Sequence, residues 1–161
     1  MQIKTTLTQK DYINATMVLL YKKPGTIVIT VIGVLFFVLT IVLIVMDSPG
    51  SSVKDFIAPI CIMAALPVVS AITARRNYAT NPRVGEQVEY VFDQDYLKVN
   101  GQSYNSQLSW DKIYKVTQSK NWIFIWHNRQ MANPISKRDI WEEQQEELKR
   151  LLDLHRVKNK L

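Results

Sequence analysis

Thr26–Met46, TIVITVIGVLFFVLTIVLIVM, is a run of 21 residues without a single charge. A helix needs about 20 apolar residues to cross a hydrocarbon core of about 30 Å, and this run has both the length and the composition. Phe56–Ala74, FIAPICIMAALPVVSAITA, is a second uncharged run, of 19 residues. Both are too long for ordinary strands, and neither has the polar stripe of a helix lying on a soluble core. The sequence therefore predicts a two-helix transmembrane hairpin with spans at 26–46 and 56–74. It leaves an N-terminal segment 1–25, an external turn 47–55 and a folded domain 75–161. The first run is longer than the apolar stretch of a signal peptide, and no small-residue cleavage site follows it.

Charges beside the runs orient them. Lys4, Lys10, Lys22 and Lys23 precede the first, Arg75, Arg76 and Arg83 follow the second, and the turn DSPGSSVKD has two Asp against one Lys. By the positive-inside rule both termini face the cytoplasm. The whole chain carries a formal net charge of +6, gathered at the membrane ends and the tail, where anionic lipid headgroups account for it. No helix-turn-helix, zinc-finger or RNA-binding signature accompanies this charge, so nucleic acid is not an expected partner. Cys61 is the one cysteine, which rules out an intrachain disulfide and a cysteine-built metal site.

Within the spans, small residues recur at helical spacing. Thr26, Thr30, Gly33 and Thr40 share a face of the first, and Cys61, Ala64, Val68 and Ala71 share a face of the second. Small faces let helices approach closely in lipid. The expectation is that these two faces meet, with a homo-oligomer as the competing use. No ionisable side chain lies in either run, which argues against a transport pathway.

The flanking segments change period. Gln2–Leu7 alternates as a short strand, and Thr8-Gln9-Lys10-Asp11 has the pattern of a capping box opening an amphipathic helix, which suits the membrane interface, packing on the folded domain, or both. Glu86–Phe92 places Val88, Tyr90 and Phe92 on one side. Asn100-Gly101 reads as a two-residue hairpin turn needing positive φ at both positions. Strands are expected at Tyr114–Gln118, Trp122–Trp126 and Met131–Ile135. Ser136–Asp139 reads as a second capping box, opening a helix over Asp139–His155 with Ile140, Trp141, Leu148, Leu151, Leu152 and His155 as its buried stripe. Arg156–Leu161 reads as a frayed basic tail. The fold class is thus an α+β membrane protein, with a small antiparallel-sheet, pleckstrin-homology-like domain closed by a C-terminal helix.

These motifs resemble those of the YcxB-like family of small bacterial membrane proteins. The matching residues are TLTQKDY at 6–12, YKKP at 21–24, the two spans, Asn81-Pro82, LSWDKIYKV at 108–116 and ISKRDI at 135–140. Ser136 stands where the family has proline, and the Lys137-Arg138 pair is kept. The resemblance implies a domain akin to bacterial pleckstrin-homology-like modules on the cytoplasmic face of the inner membrane, and no catalytic motif.

The residues themselves point the same way. His127 and His155 lack a ligand at metal-binding spacing, and there is no nucleophile elbow or phosphate-cradling glycine loop. No catalytic residue, cofactor or metal is expected. Trp110, Trp122, Trp126 and Trp141 are expected to fill a small core that needs large residues, or else to leave one or two exposed as a binding face or membrane-interface anchor. The candidate binding face comprises Lys137, Arg138, Trp110, Asp111, Lys120, Trp122 and Arg129. The cations Lys137 and Arg138 oppose the macrodipole at the start of the predicted helix. That placement suggests a demand from a lipid headgroup, an acidic partner, or Asp111 and Asp139. A membrane-anchored, non-enzymatic binding or scaffold module that engages anionic lipid or a protein is the leading function. An immunity-type protein neutralising a membrane-active toxin, and an accessory subunit of a membrane complex, are the alternatives.

Overall fold

The computed structural model describes residues 1–46 and 52–161. Most of the predicted turn, residues 47–51, lies outside the described residues. The chain is α+β, with two long apolar helices and antiparallel sheets, and it divides into two compact units. One unit joins Met1–Tyr12 to Tyr78–Leu161, and the other is Ile13–Asn77.

In the helical unit, α2 runs over Pro24–Val45 and α3 over Ile57–Thr80. α2 begins where Pro24 can supply a preset φ at no loss of a hydrogen bond. α3 outlasts its apolar run, continuing through Arg75 and Arg76 to Thr80. Both helices have the length and composition to cross a membrane. Their apolar side chains are largely uncovered, from Ile27 and Val28 to Val69 and Ile72. Thr26, Gly33 and Thr40 are the buried residues of α2, with Thr30 half-buried. Thr30 Oγ1 donates to Thr26 O and Thr40 Oγ1 to Phe36 O, each at 2.9 Å, so these hydroxyls are satisfied inside their own helix.

The partner face on α3 differs from the small-residue stripe. Cys61, Ala64 and Val68 are exposed and Ala71 is half-buried, whereas Pro59 and Ala74 are buried. Met63 reaches the notch at Gly33, where an added Cβ would come within 2.6 Å of Met63 Cγ. Phe56 tilts against Phe37 at 5.1 Å between centroids. A flexible thioether can fill a glycine gap, and Met63 does so at Gly33 while the rest of its side chain stays exposed.

The other unit holds two sheets, ordered β1-β2-β3-β4 and β7-β6-β5-β8. The first is β1 (Gln2–Thr6), β2 (Gln87–Phe92), β3 (Tyr96–Asn100) and β4 (Asn105–Ser109), all antiparallel. The second is β5 (Lys115–Gln118), β6 (Trp122–Trp126) and β7 (Ala132–Ser136), joined by the two-residue β8 (Asn159–Lys160), which runs parallel to β5. Period-2 alternation explains β2, whose Val88, Tyr90 and Phe92 are buried. β6 is buried at every position, with Ile123 and Ile125 in the main core and Trp122, Phe124 and Trp126 on its second face. α4 (Glu142–Leu154) supplies Leu148 and Leu152, both fully buried, to the core cluster.

Several expected boundaries move. The segment 1–25 is not a separate N-terminal piece: β1 pairs with β2 across the first sheet, Thr6 opposite Gln87 and Gln2 opposite Val91. The turn after β3 spans four residues, since Asn100 faces Asn105 and Gly101 N donates to Tyr104 O at 2.8 Å. Asn100 does not adopt positive φ. Gly101 is needed for space instead, because an added Cβ would lie 2.5 Å from the Tyr104 ring. This longer turn sets Leu97 opposite Leu108. The last helix starts later than expected: Lys137–Asp139 is a 3-10 turn without a side-chain cap from Ser136, which is buried. Trp141 N instead donates to Gln144 Oε1 at 3.0 Å. Trp141 therefore stays out of the buried stripe and is 77% exposed.

The expected frayed tail is structured. Arg156 adopts φ 54°, the one positive φ of a non-glycine among the described residues. Arg156 N then reaches Asp153 O at 3.1 Å and Val157 N reaches Leu152 O at 2.8 Å, which is a Schellman ending. This turn buries Val157 and delivers β8 to β5. Arginine pays a steric cost in the left-handed region that glycine does not. Arg156→Gly is expected to raise stability by about 0.5–1 kcal/mol, read as a higher thermal midpoint with β8 and the helix ending unchanged.

Candidate functional site

The 3-10 turn Lys137–Asp139 is where the chain concentrates its polar chemistry. β7 ends at Ser136, and Lys137 N donates to Asn121 O at 3.0 Å, which extends the ladder by one bond before the turn. The next two side chains reach the N-terminal strand. Arg138 donates to Asp11 Oδ2 at 2.7 Å, to Asp11 Oδ1 at 3.3 Å and to Thr6 O at 3.2 Å. Its Nε lies 3.5 Å from Asp139 Oδ1. Asp139 Oδ2 accepts from Thr5 Oγ1 at 2.6 Å, and Thr5 is buried.

Asp11 also closes the first capping box. Its Oδ2 accepts from Thr8 N at 3.1 Å and Thr8 Oγ1 at 2.7 Å, and Asp11 N donates back to Thr8 Oγ1 at 3.2 Å. α1 (Gln9–Tyr21) thus begins at a residue tied both to its own cap and to Arg138. Partial desolvation acts to raise the Asp11 pKa. The Thr8 hydroxyl, the Arg138 guanidinium and the Thr8 amide outweigh it and hold the carboxyl below its ordinary value. Contact with Asp11 and Asp139 raises the Arg138 pKa in turn.

The seven residues assigned to a binding face are not gathered into one. Trp110 and Trp122 are 4% and 3% exposed and belong to the interior. Trp110 Nε1 donates to Asp93 O at 3.2 Å and Gln94 O at 3.1 Å, and its ring stacks on His155 at 4.9 Å and 6°. These are structural duties of an indole that finds its hydrogen-bond partner when buried. Asp111 is exposed and pairs with its neighbour Lys112 at 3.6 Å rather than with Lys137 or Arg138. Lys120 and Arg129 are exposed on the turns at opposite ends of β6, roughly 17 Å apart along five residues of strand. Lys137 Nζ donates to Gln118 Oε1, a neutral acceptor.

Arg138 is therefore a clamp between the N-terminal strand and the last turn before α4. The turn precedes the helix, and of the expected partners Asp139 is in contact with Arg138 while Asp111 is not. The closest partner is Asp11, 127 residues away in sequence. The exposed tryptophan is Trp141, which sequence periodicity had placed in the buried stripe. A helix start displaced by three residues is enough to rotate it outward. Among the described residues, no group of three or more His, Cys, Asp or Glu is placed to hold a metal.

Arg138→Gln is expected to lower stability by about 1 kcal/mol, the scale of a partly solvated, bidentate charge-assisted contact, and Arg138→Lys by less. The pH dependence has a definite sign. A depressed folded-state pKa makes the Asp11 contribution complete above its ordinary 3.8 and lost as pH falls through the lower folded value. The stability gap between the native chain and Asp11→Asn should accordingly close on acidification. A gap that stays constant down to acid unfolding would show that the carboxylate is not what holds Arg138.

Nothing among the curated proteins or the solved structures matches this chain. One family model does, over residues 92–152, from the end of β2 through most of α4. That stretch contains LSWDKIYKV and ISKRDI, two of the motifs that carried the sequence resemblance. Its description is YcxB-like protein, and residues 92–152 of this chain are similar to that family.

Proposed function

We propose that this protein is a membrane-anchored, non-enzymatic binding module, which presents a pleckstrin-homology-like domain at the cytoplasmic face of a bacterial inner membrane. The observation that carries the reading is the placement of the apolar helices within an insertion. Residues 13–77 leave the folded domain at Tyr12 and return at Tyr78, whose rings lie 6.2 Å apart. Tyr78 Oη also donates to Leu7 O at 3.0 Å, fixing the return point against the end of β1. An insertion that begins and ends at one place must cross a bilayer an even number of times, and α2 and α3 have the length and composition for two crossings. Lys22, Lys23, Arg75 and Arg76 mark that place as cytoplasmic by the positive-inside rule.

Two sheets, antiparallel apart from the short β8, with a C-terminal helix packed through Leu148 and Leu152 support the pleckstrin-homology-like description. A binding role is supported by exposed Trp141, Lys120 and Arg129. Anionic headgroups or a protein segment are the ligands such a surface would take.

Topology is the direct test. In a Cys61→Ser background, Ser51→Cys or Ser52→Cys should react with an impermeant maleimide on intact cells. Asn105→Cys, on exposed β4, should react only after the cells are opened. Labelling of Asn105→Cys in intact cells would place the domain outside and overturn the proposal. So would release of the chain from membranes by alkaline carbonate.

A further inference from the structure

An open sheet has edges, and proteins protect them against unwanted pairing with charge, proline, brevity or covering groups. Three of the four edges here are treated in that way. On β1, the bond from Phe92 N to Met1 O sets the alternation, so Gln2, Lys4 and Thr6 turn their main-chain groups outward. Gln2 O accepts from Gln144 Nε2 at 3.0 Å and Thr6 O from Arg138 at 3.2 Å. On β7, the bonds from His127 N to Met131 O and from Lys137 N to Asn121 O turn Ala132, Pro134 and Ser136 outward. Pro134 has no N–H to offer there. β8 is two residues long, follows Lys158 and contains Lys160.

β4 is different. Its sequence, Asn-Ser-Gln-Leu-Ser, contains no charge and no proline, and four of its five residues are exposed. The bond from Gly101 N to Tyr104 O lies in the register of β3 with β4, so Ser106 and Leu108 bond to β3 and Asn105, Gln107 and Ser109 face outward. The N–H and C=O groups of Asn105 and Gln107 and the N–H of Ser109 have no partner among the described residues, while Ser109 O opens the 3-10 turn Trp110–Lys112 and keeps a second lone pair facing outward.

We propose that β4 is a self-pairing edge, through which two copies of this chain join antiparallel about a two-fold axis at Gln107. Gln107 then faces Gln107 of the second copy, and Asn105 of each faces Ser109 of the other. Each facing pair exchanges both main-chain hydrogen bonds, and the two first sheets become one continuous sheet. The chemistry of the edge selects this occupant. The strand is uncharged and its outward groups are centred on one residue, so it matches itself without like-charge opposition. It offers nothing to recognise an acidic or basic peptide. The nearest cation on the adjoining strand, Lys98, sits beside Gln107 on β3. The two Lys98 side chains would therefore be held about 14 Å apart across three strand spacings, beyond the screening length at physiological salt. Two copies confined to one surface also meet at a raised effective concentration, which compensates for a small contact.

The register makes the test specific. The full chain, with Cys61→Ser, is expressed and oxidised in native membranes. Gln107→Cys should give a disulfide-linked dimer, since facing residues of a hydrogen-bonded antiparallel pair have Cα atoms about 5.5 Å apart, within disulfide reach. Asn105→Cys alone should not, because its two copies are offset by about 14 Å along the strands. Co-expressed Asn105→Cys and Ser109→Cys chains should crosslink to each other. Gln107→Pro removes an outward N–H that β3 does not use, and should abolish the Asn105→Cys to Ser109→Cys crosslink while leaving the thermal midpoint in place. Equal crosslinking of Asn105→Cys alone and Gln107→Cys, no crosslink at Gln107→Cys, or a crosslink to a different protein would each overturn the proposal.

Discussion

The pairing of β1 with β2 is the contact on which the rest of the molecule depends. It joins residues 2–6 to residues 87–91 and so encloses the whole apolar insertion within the folding of one domain. Closing a chain segment of about 80 residues costs on the order of 4 kcal/mol in entropy, and contacts specific to the closed form must offset it. Part comes from Ile3 and Thr5, buried on the inner face of β1. Part comes from polar ties at the outer edge and the strand end, where Arg138 holds Thr6 and Asp11 and Tyr78 holds Leu7. Without this closure, the first sheet would lose its edge strand and the insertion would have no fixed point of exit.

The same closure changes the meaning of the Lys137-Arg138 pair. Two cations in a turn look like a docking patch when only their neighbours in sequence are considered. In the folded chain, Arg138 is neutralised by Asp11 and Asp139, and its third contact covers a strand carbonyl that would otherwise be open. One side chain thus serves charge pairing, edge protection and the tethering of α1. The exposed chemistry lies elsewhere, at Trp141 beside the turn, at Lys120 and Arg129 on the turns flanking β6, and along the bare edge of β4.

The apolar helices, β2, the strand WIFIW and the first capping box were legible because each rests on local periodicity or on residues within one turn. The four-residue β3–β4 turn was not, since Asn100-Gly101 satisfies the pattern of a tighter turn. What decides is the fit of the Tyr104 ring over Gly101 and of Leu97 opposite Leu108. The ending of α4 was hidden for a similar reason: an arginine in the left-handed region carries no sequence signal, and the reward for it is the burial of Val157 and the docking of β8. In the helical unit, spacing marks the buried residues of α2, whereas on α3 the buried residues are Pro59 and Ala74, outside the small-residue stripe. A groove at Gly33 can be filled by any side chain flexible enough to enter it.

Sequence alone determined that residues 26–46 and 56–74 form long apolar helices and that the remainder carries a small α+β domain. Hydrophobic run length and two- or 3.6-residue periods are properties of a chain read in order. Tertiary structure alone decided that residues 1–12 complete this domain, that Trp110 and Trp122 are interior while Trp141 is not, and that Arg138 faces Asp11. These follow from contacts between residues far apart in sequence, whose geometry depends on register, turn length and the exact start of a helix. A shift of one to three residues in any of them turns a side chain from the core to the surface.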